Sequence, residues 1–127
     1  MRFQFNSKSN FLVVKAAILG PLWELDALLL LDTGASRSLL NRPFLSSLGV
    51  DLSSPLAHET IVTASRVERA PVLKLGRIRA LGQERTDFRV LGFDLPNEFP
   101  VQGLLGLDFL RKYRLSIDFP RGFIALR

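Results

Sequence analysis

The hydrophobic and polar positions divide this chain into many short apolar segments separated by turn residues. Met1 to Phe5 places Phe3 and Phe5 on one face and reads as a short strand. Asn6 to Asn10 is polar and turn-like. Phe11 to Leu19 is β-branched and apolar, Gly20-Pro21 breaks it, and Leu22 to Leu31 follows; together they predict a hairpin. Ala27 to Leu31 is continuously apolar, which predicts burial on both of its faces. Pro43 to Leu48 predicts one short helix with Gly49 at its C-terminal end. Residues 51–56 read as loop. Glu59 to Ala64 and Ala70 to Leu75 predict two strands around a polar centre, Ser65 to Arg69. Ile78 to Leu81 and Thr86 to Phe93 predict two more, and Pro96 to Pro100 reads as loop. Gly103 to Gly106 is a tight apolar segment, and Leu107 to Tyr113 predicts a second helix. Leu115 to Phe119 and Phe123 to Leu126 flank Pro120-Arg121-Gly122, a hairpin signal. The pattern is mainly β, a closed or barrel-like sheet with one or two short helices.

Composition narrows the chemistry. The 127 residues fit a single domain, 1–127, large enough to bury a core without staples. There is no cysteine, so disulfides and thiolate metal sites are excluded. The one histidine, His58, excludes a multi-histidine metal site, and no Gly-x-Ser-x-Gly elbow accompanies it. No cofactor or metal is expected. Phe11 to Leu31, the most apolar stretch, is interrupted by Lys15, Gly20, Pro21, Glu24 and Asp26, so no membrane segment is expected. A reducing compartment is compatible with the cysteine-free sequence, and a cytoplasmic location is expected, the alternative being one domain of a longer anchored protein. The net charge of +5 is mostly an excess of arginine and reads as a solvated basic surface.

One segment carries chemistry. Leu28-Leu29-Leu30-Leu31-Asp32-Thr33-Gly34-Ala35-Ser36 puts a carboxylate at the end of an apolar strand, inside a turn of small residues. An isolated charge is costly to bury, so something must compensate Asp32. Thr33 and Ser36 can supply hydrogen bonds, turn amides can point at the carboxylate, and Gly34 permits close approach. An aspartate that merely starts a turn is the alternative. A second segment, Gln102-Gly103-Leu104-Leu105-Gly106-Leu107-Asp108-Phe109-Leu110, sets two apolar residues before a glycine and a short helix.

In that order the segments resemble the retropepsin-like aspartic proteases, especially single-domain cellular and bacterial members and the protease domain of the eukaryotic DNA-damage-inducible ubiquitin-shuttle proteins. Leu31 to Ser36 matches the active-site motif, Leu104 to Leu110 the apolar-apolar-Gly motif and its helix, and Ser116 to Phe119 with Phe123 to Leu126 the closing hairpin. The resemblance implies a closed β-barrel of the acid protease fold, working as a two-fold homodimer. It implies Asp32 as the catalytic carboxylate, with Thr33, Gly34, Ala35 and Ser36 as its support and Leu104, Leu105 and Gly106 packed near it. Thr63, Ala64, Ser65 and Arg66 correspond to the flap over the substrate. Flaps of retroviral members are rich in glycine, whereas Thr63 to Arg69 has none. Terminal strands, here Met1 to Phe5 and Leu115 to Leu126, form the dimer sheet in the family. His58, Asp108 and Asp118 are read as structural, Asp108 suiting the start of its helix.

The implied activity is endopeptidase cleavage of polypeptide by a water activated between two copies of Asp32. Two other readings stand beside it: a retropepsin-like dimerisation or peptide-binding domain without turnover, and a small basic barrel for nucleic acid. The last lacks interleaved surface aromatics, and no nucleic-acid partner is expected.

Overall fold

The computed structural model describes residues 1–62 and 65–127. Strand β1 is Phe3–Gln4, and β2 (Val13–Leu19) and β3 (Glu24–Leu31) form the expected hairpin, paired antiparallel from Val13–Leu30 to Leu19–Glu24. Its turn rests on the first helix: a Cβ at Gly20 would lie 2.5 Å from Leu48 Cβ, so only glycine fits. Strand β4 (Leu39–Leu40) leads into helix α1 (Arg42–Ser47), whose Asn41 cap accepts from Phe44 N at 2.9 Å.

Strands β5 (Ala57–Val62) and β6 (Val67–Ala80) form a second hairpin, and β7 (Gln83–Gly92) returns along β6. The pattern predicts two strands, Ala70–Leu75 and Ile78–Leu81, where the structure has the single strand β6. The reason is that β6 serves several partners: β5 from Val67 to Val72, β7 from Val72 to Ala80, and β2 from Arg77 to Ala80. Arg77 stays in the ladder because its guanidinium lies outside, paired with Glu24 of β3. Leu81 and Gly82, at φ 54° and 77°, make the tight link between β6 and β7. That conformation is common in two-residue hairpins, but leucine is not a turn residue and gave no signal there.

Strand β8 (Gly103–Leu105) runs parallel to β3 and antiparallel to β4. The ladders β2–β3–β8–β4–β7–β6 return to β2 and close a six-stranded barrel, leaving the β5–β6 hairpin projecting. Helix α2 (Leu107–Leu110) is shorter than the predicted Leu107 to Tyr113. The chain must become extended early, because Arg114 and Arg127 exchange both backbone hydrogen bonds, at 2.6 and 3.0 Å. Strands β9 (Leu115–Asp118) and β10 (Phe123–Leu126) form the closing hairpin, and β1 adds to β10 in a separate three-stranded sheet.

The barrel interior is filled by Ile18, Leu29, Leu45, Leu75, Leu105 and Phe109, all buried. Each such side chain stabilises the fold by about 1.5–3 kcal/mol. Phe88 meets Phe109 edge-to-face at 5.9 Å. The expectation that Ala27 to Leu31 is buried on both faces is corrected. Ala27, Leu29 and Leu31 are buried, but Leu28 is 44% exposed and Leu30 is half-buried. In this barrel wall one face of β3 looks inward and the other outward, so alternate residues differ despite uniform chemistry. No helix among the described residues is long and apolar enough to cross a membrane.

Candidate active site

Strands β3 and β8 lie side by side and end together, with Leu31 opposite Leu105. Asp32 follows at the end of β3, and its amide donates to Leu105 O at 3.0 Å. The next residues fold back as a turn: Ala35 N donates to Asp32 O at 3.2 Å, and Gly34 N donates to Asp32 Oδ1 at 2.8 Å. A turn amide thus compensates the carboxylate, as the small residues of this segment predict. Thr33 and Ser36 are exposed, and among the described residues neither side chain bonds Asp32. Asp32 itself is half-buried, so water reaches it.

The Gly103-Leu104-Leu105-Gly106 segment is the bed on which this turn lies. Leu107 N donates to Ala35 O at 2.8 Å, tying the start of α2 to the turn. A Cβ at Gly106 would stand 2.7 Å from Ala35 O, and one at Gly103 would stand 2.0 Å from Leu39 O. Both are closer than a carbon can approach an oxygen, so these glycines let the two backbones touch. Leu105 is buried beneath the turn, and Leu104 faces the adjoining cleft.

That cleft has a volume of about 620 Å³. Its floor carries Asp32, Gly34, Ala35, Ser36 and Arg37, while β5 supplies Glu59, Thr60, Ile61 and Val62 on one side. Leu39, Leu91, Phe93, Leu95, Pro96 and Leu104 complete a largely apolar wall. Among the flap residues read from the sequence, Thr63 and Ala64 lie outside the described residues. Ser65 and Arg66 are exposed and lie just before β6, and neither lines this cleft. Arg66 lies beside Glu68, at 2.9 Å, in a neighbouring cavity of about 460 Å³ that shares Phe93 with the cleft.

Sequence reasoning missed a polar network under the turn. Ser38 is 2% exposed, and its amide and hydroxyl donate to the Asp108 carboxylate at 2.9 and 2.7 Å. Its hydroxyl also accepts from Gly106 N at 2.9 Å. Asp108 accepts from Phe109 N at 2.9 Å as well, so one carboxylate in the first turn of α2 also anchors the residue before β4. A serine directly preceding Leu39-Leu40 was the available signal, since a buried hydroxyl requires partners. Arg37 lies beside the same network, in ion pairs with Asp108 at 3.6 Å and with Glu59. His58 is exposed on β5, opposite Pro71. Asp118 holds the β9–β10 turn through Arg121 N at 3.0 Å.

Comparison with known proteins agrees with this geometry. Residues 14–109 match the family model described as Aspartyl protease. No curated protein matches the chain. Among solved structures, the fold is similar to a retropepsin-like aspartic protease from Rickettsia conorii, at 21% sequence identity and a TM-score of 0.74. That alignment covers 99% of this chain and 88% of the other.

Proposed function

The chain belongs to the aspartyl protease family, and on that premise we propose that residues 1–127 form one catalytic domain, an aspartic endopeptidase active as a two-fold homodimer in which each subunit supplies Asp32. The observation that carries this reading is the solitary acid on the cleft floor. Among the described residues lining the cleft, only Asp32 and Glu59 bear carboxylates, and Glu59 is paired with Arg37. Aspartic protease chemistry needs two carboxylates in different protonation states. No other aspartate of the chain is followed by Thr-Gly or Ser-Gly. A second copy, related by a two-fold axis, supplies the missing acid.

Two adjacent carboxylates resist ionising together, so the pair holds one proton and acts as a unit. The ionised member removes a proton from a bound water, whose oxygen attacks the scissile carbonyl carbon. The protonated member donates to the carbonyl oxygen as the tetrahedral intermediate forms. Collapse of that intermediate breaks the C–N bond: the carboxyl that took the water's proton gives it to the leaving nitrogen, and the other carboxylate recovers its proton from the hydroxyl as the carbonyl re-forms. Thr33, exposed beside Asp32, locks the two turns across the axis, and Gly34 leaves room for water and substrate. The apolar wall of Leu39, Ile61, Leu91, Phe93, Leu95 and Leu104 receives apolar side chains flanking the cleaved bond. The sheet of β1, β9 and β10 forms the dimer contact.

The glycine-free segment Thr63 to Arg69 favours a second reading, peptide binding without turnover. Incubation with an unstructured peptide library, followed by mass analysis of products, separates the two. Cleavage next to apolar residues is expected. Binding with no product over a wide pH range would select the second reading.

A further inference from the structure

Arg37 follows the Asp32 turn, and its side chain is only 27% exposed. Its guanidinium reaches two elements at once. One arm pairs with Glu59 of β5, and Nε faces Asp108 of α2 at 3.6 Å. Asp108 in turn holds Ser38, whose hydroxyl accepts from Gly106 N. An unbroken polar path therefore runs from the projecting hairpin, across the cleft floor, to the bed beneath Asp32.

Among the described residues, β5 has few other attachments. Strand β5 is hydrogen-bonded in its ladder to β6 alone. Ile61 packs against Leu39, Ala70, Val72 and Leu91, which is non-directional. Among the described residues, the Arg37–Glu59 pair is the polar contact that joins β5 to the turn carrying Asp32. Both partners are partly shielded from solvent, so the pair is screened less than a surface pair. The planar fork of arginine suits this double role, since it fixes direction as well as charge.

We propose that the Arg37–Glu59 pair is a latch that fixes β5 against the turn carrying Asp32, which makes both residues positioning residues for substrate. The proposal rests on reading this cleft as the protease site. Its test has one readout independent of cleavage. In Glu59→Gln, amide hydrogen exchange should quicken over residues 57–62, while β2 and β3 keep the exchange of the parent protein. On a peptide substrate, KM should rise by about fivefold with kcat changed less. Glu59→Lys places like charges together and should weaken kcat/KM by about tenfold or more. In an Arg37→Gln background, Glu59→Lys should add no further loss.

Unchanged exchange and unchanged KM in Glu59→Gln would overturn the latch, as would an equal loss from Glu59→Lys in both backgrounds. Glu59 is 39% exposed, so its variants are expected to fold, and they decide the matter even if Arg37→Gln does not. A parent protein that cleaves nothing would refute the protease reading, and hydrogen exchange would still decide the latch.

Discussion

Asp32→Asn is expected to reduce peptide cleavage by at least about a thousandfold while leaving the dimer folded. In the proposed dimer the substitution removes both the base and the acid, because each subunit carries the same change. Asparagine keeps the shape of aspartate, and its Oδ1 can still accept from Gly34 N, now at 2.8 Å. The site is half-buried and open to water, so no unpaired group is trapped. Urea unfolding and sedimentation mass should therefore match those of the parent protein. Parental cleavage rates in a folded Asp32→Asn dimer would remove Asp32 from the chemistry.

Gly103→Ala is expected to lower stability by about 3 kcal/mol or more, read as a shift in the urea midpoint. The corresponding fall in the thermal midpoint is about 10 °C. The cause is backbone against backbone: a Cβ there would meet Leu39 O at 2.0 Å, and Leu39 C and Leu40 Cα at 3.0 Å. No flexible side chain can yield. Strand β8 lies between β3 and β4, so relief requires opening the barrel wall. Gly106→Ala presses on Ala35 O and Arg37 instead, so its damage falls on the Asp32 turn. A Gly103→Ala protein of parental stability would mean that β4 and β8 are not held this close.

How much of this was legible in the sequence depended on the kind of residue involved. The β2–β3 hairpin, α1 and the closing hairpin announced themselves through Gly20-Pro21, Pro43 and Pro120-Arg121-Gly122, residues whose backbone limits are local. The Asp32 turn was legible for the same reason, because an aspartate among small residues after four leucines has few uses. The continuity of β6 was not legible, since it depends on partners remote in sequence. Leu28 looked as apolar as Leu29, yet only the closed barrel decides which of them faces inward. The path Ser38–Asp108–Arg37–Glu59 joins residues up to 71 positions apart, so no local pattern could reveal it. Asp108 was read through its own helix, when its larger task is to satisfy the hydroxyl buried in front of β4.

The proposed activity depends first on the assembly of the active unit. Sedimentation mass and cleavage rate, measured on the same samples across a dilution series, test it. The rate per chain should follow the dimer fraction and vanish as the protein becomes monomeric. Undiminished cleavage by samples whose mass is that of a single chain would contradict it.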